Sequence, residues 1–249
     1  MINNCFIIPI YNHHDTIAHT VRQLLPFGYA IIIADDGSNA ETKQVLAELA
    51  KQYSQVDIIT LAQNSGKGVA MCTALQYAYQ QGFSHGLQID ADGQHDVNDV
   101  PLFWQKAAQH PEALISGAPI YDNSMPLGRK IGREITHFWV RIETLSLQIK
   151  DSMLGFRVYP LRSSNQIIQR YAIGQRMDFD TDIMVRLFWH DVAVLFIATK
   201  VIYPQGGRSN FKMLRDNWLI SKMHTRLFFG MLWRIPKLLT RKRRVKYEA

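Results

Sequence analysis

The chain has 249 residues, of which 47% are hydrophobic and 20% are charged, a composition typical of a globular protein with a substantial core. No apolar run reaches the roughly 18 to 20 residues of a membrane-spanning helix, and the N-terminus lacks the basic segment and cleavage site of a secretory leader, so we expect a cytoplasmic protein. Cys5 and Cys72 lie in apolar surroundings without C-x-x-C spacing, which argues against a disulfide framework and a cysteine-based zinc site.

The formal charge of +7 is concentrated at the C-terminal end of the sequence. The segment from Lys212 to Ala249 contains eleven Lys and Arg against two Asp and Glu, a net charge of +9, which leaves −2 for residues 1–211. A basic segment of this kind favours an anionic partner, either phospholipid head groups or nucleic acid. Because no nucleic-acid recognition motif accompanies it, we expect no nucleic-acid partner.

Short apolar runs alternate with segments of helical periodicity along the first half of the chain. The predicted strands are Cys5 to Ile10, Ala30 to Ala34, Val56 to Leu61, Gly86 to Ile89 and Ala113 to Ser116. The predicted helices cover about residues 16–25, 41–53, 67–81 and 97–110. This alternation predicts an α/β fold with a mainly parallel sheet flanked by helices. Ligands bind outside the carboxyl ends of the strands in such sheets, and the polar motifs of this sequence lie there.

Asp90 and Asp92 follow the fourth predicted strand and are two residues apart. Side chains at i and i+2 of an extended segment share a face, so both carboxylates and the amide oxygen of Gln94 can aim at one point. Such oxygen ligands suit Mg2+ or Mn2+, whose open positions are filled by water and substrate phosphates. The motif therefore predicts a metal-held diphosphate. The alternative is that turn-forming residues simply end a strand.

Two further polar loops are predicted at the same sheet edge, over Asp35 to Ser38 and Asn64 to Gly68. A carboxylate in the first loop can accept hydrogen bonds from a nucleotide base or ribose, although Asp is also common there as a helix cap. Lys67, beside glycines at a helix N-terminus, can face phosphate or be a solvated lysine. The second loop lacks the Walker spacing, and neither fits G-x-G-x-x-G, which argues against a dehydrogenase.

With these motifs in place, the chain resembles family 2 glycosyltransferases of the GT-A fold. The matching segments are Ile8 to Asn12, Ala34 to Ser38, Asn64 to Gly68, Asp90 to His95, Lys150 to Arg157 and Met177 to Asp182. The last two resemble the D-x-x-x-G-F-R and F-D-T-E segments of the dolichol-phosphate mannose synthase branch, with Asp182 in place of Glu. More narrowly, residues 115–122, 142–147, 150–160 and 223–230 resemble stand-alone glycosyltransferases of bacterial aryl polyene lipid pathways.

The resemblance implies roles for individual residues. Nucleotide-sugar binding is implied for Pro9, Tyr11, Asn12, Asp35, Asp36, Gly66, Lys67 and Asp90, and binding of Mn2+ or Mg2+ for Asp90, Asp92 and Gln94. The mannose synthase branch usually carries G-S-R after the fifth strand, whereas this chain has Gly117-Ala118-Pro119. The missing Arg leaves the donor contacts at that position unassigned.

Sugar transfer from a nucleoside diphosphate requires charge stabilisation on the leaving diphosphate, which a bound cation supplies. A hydroxyl acceptor also requires a carboxylate that removes its proton, and we take Asp182 as the first candidate and Asp180 as the second. A lipid phosphate acceptor is already anionic and requires no strong base. The alternative for both residues is that they favour the start of a helix that runs to about His190.

Four arginines are candidates for contacts with the acceptor or with phosphate. Arg129 and Arg133 lie on a predicted basic helix, and a comparable helix meets the lipid phosphate in the mannose synthase branch; the alternative is a solvated basic face. Arg157 and Arg208 each lie beside a glycine or a turn.

Apolar residues recur with helical spacing in the C-terminal segment. They are Leu214, Trp218, Ile220, Met223, Leu227, Met231, Ile235 and Leu238. Pro236 is expected to kink or end the first helix. A basic amphipathic helix with Trp and Phe can lie in a membrane interface, and the alternative is that the stripe packs on the catalytic domain. We therefore divide the chain into a glycosyltransferase domain, residues 1–211, and a tail, residues 212–249, that binds an anionic membrane surface.

The sequence thus predicts a metal-dependent, inverting glycosyltransferase. Its donor is a UDP- or GDP-linked nucleotide sugar, and its acceptor is a lipid or lipid-linked molecule at the inner face of the cytoplasmic membrane. The alternatives are a polyprenyl-phosphate sugar synthase and a non-catalytic nucleotide- or membrane-binding protein. A sugar nucleotidyltransferase shares the sheet, but Tyr11 to His14 lacks the Gly- and Arg-rich loop of that class.

Overall fold

The computed structural model describes residues 3–120, 127–201 and 211–240, without the side chains of residues 127–129. The strands are β1 (Asn4–Ile10), β2 (Ala30–Asp35), β3 (Val56–Thr60), β4 (His85–Gln88), β5 (Leu114–Ile120), β6 (Arg157–Pro160) and β7 (Val194–Lys200). The α-helices are α1 (Ile17–Leu24), α2 (Ala40–Gln52), α3 (Lys67–Gln80), α4 (Val100–Gln109), α5 (Leu127–Thr144), α6 (Leu161–Arg170), α7 (Phe179–Trp189), α8 (Met213–Leu232) and α9 (Ile235–Thr240).

These strands form one sheet in the order β3-β2-β1-β4-β6-β5-β7. The β1/β2, β2/β3, β1/β4 and β5/β7 pairs are parallel, and only β6, among the described strands, runs antiparallel to its neighbours. The expected mainly parallel α/β sheet is confirmed. The sequence did not predict β6 and β7, because β6 is only four residues long and β7 alternates in burial without a polar motif at its end.

Alternating side chains of the central strands supply two cores, one on each face of the sheet. Ile7 and its partner Ile32 lie in the core that α3, α6, α7 and α8 cover. Phe6 and its partner Ile31 lie in the opposite core, under α1, α2 and α4. This period-two pattern fixes the register of the strands, since a shift by one residue would exchange the two faces.

The C-terminal helices pack on the catalytic domain along part of their length. Met223, Leu227 and Met231 of α8 and Leu238 of α9 are buried in the core next to α7. At the N-terminal end of α8 the stripe is exposed: Leu214 is 91% accessible. The first helix ends at Leu232, four residues before Pro236, as expected from the clash of a proline ring with the carbonyl at i−4. Within the described ranges, no helix combines the length and apolarity needed to cross a membrane.

Candidate active site

Four parallel strands bring polar loops to one edge of the sheet. β1 leads into Tyr11 and Asn12, and β2 ends at Asp35. β3 leads into the loop before Lys67, and β4 leads into Asp90. The predicted convergence of the polar motifs at the carboxyl ends of the strands is therefore observed, and it places the candidate site at the position where α/β sheets bind ligands.

Asn12 connects the loops that follow β1 and β2. Its φ of 58° lies in the left-handed region, which Asn tolerates better than most residues. Its backbone N–H donates to Ser38 Oγ over 3.0 Å, and its side-chain oxygen accepts the Asn39 N–H over 2.8 Å. Pro9 is buried within β1, whereas Tyr11 and Asn12 are half-buried at its end. Tyr11 and Asn12 therefore lie partly accessible at the carboxyl end of β1, beside the loop that follows β2.

The two adjacent aspartates after β2 have different surroundings. Asp36 accepts the backbone N–H groups of Ser65 (2.7 Å) and Gly66 (2.8 Å) and the side-chain amide of Asn64 (3.0 Å). Burial raises the pKa of Asp36, and the two backbone amides oppose that rise. Asp35 is fully buried, and its Oδ2 has no hydrogen-bond partner among the described residues. Asp36 thus fixes the loop after β3, while Asp35 offers an unused acceptor.

Gly66 and Gly68 permit a close approach of a second loop, residues 174–176. A Cβ at Gly66 would lie within 3.0 Å of the Gln175 carbonyl oxygen, and a Cβ at Gly68 would lie within 3.0 Å of that of Gly174. Gly66 also has a φ of 111°, which L residues rarely adopt. The Val69 N–H donates to the Gln175 carbonyl over 3.2 Å. These glycines therefore join α3 to residues 174–176.

Lys67, the first residue of α3, connects the acidic motif to α7. Its Nζ lies 3.0 Å from Asp90 Oδ1 and 3.1 Å from Asp180 Oδ2. Burial alone would lower the pKa of Lys67, but the charges of Asp180 and Asp90 outweigh burial and raise it above its ordinary value. Burial would likewise raise the pKa of Asp90, yet Lys67 and His95 bring it well below its usual range. The Lys67 ammonium and the Asp90 carboxylate are therefore charged at neutral pH.

Gly155 lies directly against this ion pair. A Cβ at Gly155 would lie 2.5 Å from Gln88 Nε2, 2.9 Å from Asp90 Oδ2 and 3.0 Å from Lys67 Nζ. Gln88 donates to Asp90 Oδ1 over 3.1 Å and accepts the hydroxyl of Tyr159 over 3.0 Å. Gln88 thus sets the orientation of Asp90, and only glycine fits at position 155 without displacing these polar groups.

Asp92 is close to Asp90 but has fewer compensating contacts. Burial and the charge of Asp90 raise its pKa, and one oxygen accepts the backbone N–H of Gln94 over 3.1 Å. His95 is buried, stacks on Phe156 with ring centroids 4.9 Å apart, and lies 4.0 Å from Asp90 Oδ2. Burial lowers the pKa of His95, which leaves the imidazole neutral.

The donor set at this edge fits a divalent cation only in part. No group of three or more His, Cys, Asp or Glu side chains within the described ranges is placed to hold a metal ion. Burial and the charge of Asp90 disfavour the ionised form of Asp92, which raises its pKa when no cation is bound. A cation shared by Asp90 and Asp92 would neutralise the charge of both carboxylates and would retain open positions for phosphate oxygens. The site is thus suited to a metal that arrives with an anionic ligand.

Asp182, the first candidate for a catalytic base, requires a correction. Its side chain is fully buried; Oδ1 accepts Arg186 Nε over 2.7 Å, and Oδ2 accepts the Gly174 N–H over 2.8 Å and a guanidinium N–H of Arg226. Burial raises the pKa of Asp182, which the two arginines oppose. A carboxylate enclosed in this way does not reach a substrate. Asp180 is the acidic residue of α7 that faces the site.

The candidate acceptor arginines are also in different environments. Arg157 is fully buried and donates to the carbonyls of Leu154, Ser152 and Asp180, so the expected phosphate contact at this residue is corrected to a structural role. Arg133 lies on α5 and forms an ion pair with the buried Asp151. Arg129 lies in α5, but its side chain is outside the described part of the structure, and so is the whole of Arg208.

The structure brings three residues to the site that sequence reasoning did not select. Gln88 and Gly155 contact the Lys67–Asp90 pair, and Arg176 donates to Asn64 Oδ1 over 3.0 Å. Gly155 belongs to the D-x-x-x-G-F-R match, which is a usable signal. Gln88 carries only the weaker signal of a polar residue that ends a buried strand, and Arg176 lies just before the matching segment Met177 to Asp182 without belonging to it.

Comparisons with known proteins agree with this geometry. One relative is UDP-N-acetylglucosamine--dolichyl-phosphate N-acetylglucosaminyltransferase from Methanococcus voltae, which is 26% identical over 80% of this chain and 85% of that protein. Another is dolichyl-phosphate beta-glucosyltransferase from Dictyostelium discoideum, which is 27% identical over 85% of this chain and 67% of that protein. Glucosyl-3-phosphoglycerate synthase from Mycobacterium tuberculosis, solved with Mn2+, UDP and phosphoglyceric acid, superposes with a TM-score of 0.68. That structure is 13% identical, and the match covers 92% of this chain and 78% of that one, which establishes the common GT-A fold.

The family assignment follows from the extent of the match as well as from the site. The model of glycosyl transferase family 2 matches residues 5–173, which include the loops after β1, β2, β3 and β4 but not residues 174–176 or the start of α7. The chain therefore belongs to glycosyl transferase family 2 and is a glycosyltransferase.

Proposed function

We propose that this enzyme transfers a sugar from a nucleoside diphosphate sugar to the phosphate of a membrane lipid carrier. The observation that carries the proposal is the position of Lys67 between Asp90 and Asp180, at the sheet edge where the nucleotide loops converge. The names of the curated relatives support the choice of acceptor, since both act on dolichyl phosphate.

The donor occupies the loops after β1, β2 and β3 in this proposal. Tyr11 and Asn12 face the nucleotide, the fully buried Asp35 supports the loop after β2 by accepting the Ser38 N–H, and Asp36 holds the adjoining loop in place. Asp90, Asp92 and Gln94 are the residues that would hold Mn2+ or Mg2+. Such a cation, when bound, stabilises negative charge on the leaving diphosphate. Lys67 keeps Asp90 ionised, which preserves it as a ligand.

The choice of a phosphate acceptor follows from the state of the acidic residues. Asp182 is enclosed by two arginines, and Asp180 Oδ2 is paired with Lys67, so these carboxylate oxygens are already engaged by cations. A hydroxyl nucleophile needs a general base, whereas a lipid phosphate is already ionised. In-line attack by the phosphate oxygen on the anomeric carbon inverts its configuration.

A shallow groove along α5 is suited to the acceptor lipid. It has a volume of about 450 Å³ and is lined by Lys130, Ile131, Glu134, Ile135 and Phe138. Ile131, Ile135 and Phe138 are each more than half exposed, so apolar surface lies next to a basic residue. This combination suits an isoprenoid chain whose phosphate turns towards the site.

A lipid-linked hydroxyl acceptor is the second candidate. The observation in its favour is that Asp180 Oδ1 is buried and lacks a hydrogen-bond partner within the described residues. The Arg157 guanidinium lies 3.9 Å from this oxygen, so a substrate hydroxyl would have to enter beside Arg157 to reach it.

We place the enzyme at the inner face of the cytoplasmic membrane. In this proposal residues 1–211 form the glycosyltransferase domain, and residues 212–249 form a tail that associates with the membrane. The exposed Leu214 and Trp218 and the basic composition of the segment support this placement. Clustered Lys and Arg each contribute roughly 1 kcal/mol near an anionic lipid surface.

The first experiment is isothermal titration of the purified protein with UDP, GDP and their common sugar conjugates, with Mn2+ and then with a chelator. Metal-dependent binding of one nucleotide supports the proposed donor site. The sugar conjugate that binds is then assayed with a short-chain polyprenyl phosphate and with the matching polyprenol. Transfer to the phosphate alone is expected, transfer to the alcohol alone supports the second candidate, and no nucleotide binding overturns the proposal.

A further inference from the structure

An ion pair connects the exposed surface of α8 to the interior of the catalytic domain. Arg226 lies on α8 with 42% of its side chain accessible, and its guanidinium donates to the fully buried carboxylate of Asp182. The pair joins the solvent-facing side of the C-terminal helix to the first turn of α7. A buried carboxylate of this kind is costly without a cationic partner.

Asp182 also contacts a loop of the site. The same oxygen, Oδ2, accepts the N–H of Gly174 over 2.8 Å, while Oδ1 is held by Arg186 from within α7. The position of Asp182 therefore determines where the segment of residues 174–176 begins. This segment contains no helix or strand of its own.

Residues 174–176 in turn contact the loop that presents Lys67. The carbonyls of Gly174 and Gln175 lie against the two glycines that flank Lys67, and Arg176 donates to Asn64. Asn64 then donates to Asp36, which also holds the next two backbone amides of that loop. A continuous series of polar and backbone contacts thus runs from α8 to the candidate donor loop.

We infer that Arg226 and Asp182 are positioning residues, which hold the loop of residues 64–67 in its binding conformation from the C-terminal helix. The inference rests on the proposed function in that this loop receives the nucleotide. Neither residue touches the substrate. Their effect reaches it through residues 174–176, so their loss weakens donor binding more than it slows the transfer step.

The test compares Arg226→Gln with Arg226→Lys and with Lys51→Gln in the full-length protein. Arg226 is partly exposed, and in its absence Arg186 still pairs with the buried Asp182. Lys51→Gln removes the same charge from an exposed position on α2. Hydrogen exchange is followed in peptides that cover residues 63–70 and 172–177. We expect about fivefold to tenfold faster exchange there in Arg226→Gln, unchanged exchange in the strands, and recovery of most protection in Arg226→Lys.

Donor binding supplies the second readout. The dissociation constant of the nucleotide identified by titration should rise about fivefold to tenfold in Arg226→Gln, while kcat at saturating donor stays within about twofold. Exchange and affinity equal to those of Lys51→Gln would overturn the inference, and so would a uniform rise in exchange over the whole chain, which indicates only lost stability. Wild-type protein that binds no nucleotide would refute the proposed function instead, and hydrogen exchange would still decide the role of Arg226.

Discussion

Lys67 lies 3.1 Å from Asp180, so the first residue of α3 is held by the first turn of α7 as well as by the acidic motif after β4. This contact bears on whether Asp180 can act as a general base. A carboxylate paired with an ammonium is stabilised in its ionised form, which makes it a weaker proton acceptor.

Asp180→Asn is therefore expected to lower kcat by about tenfold and to leave the shape of the pH–rate profile unchanged. The asparagine keeps the shape of the side chain but no longer neutralises Lys67. General base catalysis typically contributes about 100-fold to 10,000-fold. A fall of that size, with loss of the limb of the profile that reports the base, would favour the hydroxyl acceptor over the lipid phosphate.

Asp92→Asn is expected to abolish the effect of Mn2+ on nucleotide binding. The substitution removes a carboxylate whose ionised form is disfavoured by burial and by Asp90, and which a cation would stabilise. Titration of the variant with and without metal should give the affinity that the wild type shows in chelator. Asp96→Asn is the matched control in the same loop, since Asp96 caps the turn at Asn98 and should leave the metal effect intact. A variant at Asp92 that keeps the full metal effect would contradict the site.

Gly155→Ala should fold normally and lose at least about tenfold in kcat/KM. The added methyl group meets the ends of the Gln88, Asp90 and Lys67 side chains, which can move aside without disturbing the backbone. That movement displaces the ion pair from its position. Gly132→Ala in α5 is the control, because a Cβ there has no neighbour within 4 Å. Thermal unfolding checks that both variants remain folded, and normal activity of Gly155→Ala would refute the role given to this close approach.

Asp151→Asn should destabilise the protein by about 1 to 3 kcal/mol at neutral pH, since a buried carboxylate with several donors is replaced. Burial alone would raise the pKa of Asp151, but the hydrogen bond from His137, the charge of Arg133 and the Leu154 amide bring it well below 3.8. A lowered folded-state pKa gives stability that is complete above the unfolded value and is lost as the pH falls below it. The difference in the free energy of unfolding between the two proteins should therefore be constant above about pH 3.8 and shrink progressively as the pH falls from there towards the lowered folded-state pKa. A difference independent of pH would contradict this explanation.

Replacement of Leu214 and Trp218 together by serine should reduce binding to anionic vesicles at least about tenfold. These side chains are 91% and 62% accessible, and each would contribute roughly 1.5 to 3 kcal/mol if buried in an apolar interface. The folded state should be unaffected. Leu102→Ser, at an exposed apolar position on α4, is the control. Equal flotation of both variants with vesicles would contradict the proposal that Leu214 and Trp218 contact the membrane.

The fold was largely predictable because its signals are local. Buried runs such as Ala30 to Ala34 have the period and length of strands, and the polar residues that follow them mark the edge of the sheet. The antiparallel β6 was not predictable, since it consists of four residues whose place between β4 and β5 depends on partners distant in sequence.

The candidate site was predictable where motif residues act through their own side chains, as Lys67 and Asp90 do. It was not predictable where contacts depend on tertiary packing. The spacing of Asp180 and Asp182 gives no indication that one faces Lys67 while the other is enclosed by Arg186 and Arg226. Arg157 was misassigned for the same reason, because only the folded chain shows that its donors are taken by backbone carbonyls.

One half of α8 is buried in the core and the other half is exposed. This arrangement fixes the distance between the candidate active site and any surface that the exposed half binds. Met223 and Leu227 anchor the helix in the core, whereas Leu214 and Trp218 project from the same rigid element. The exposed end of the helix is therefore held in a fixed position relative to the core. A membrane bound through its exposed end would hold the catalytic edge at one height and tilt, and residues added after Thr240 would not extend that reach.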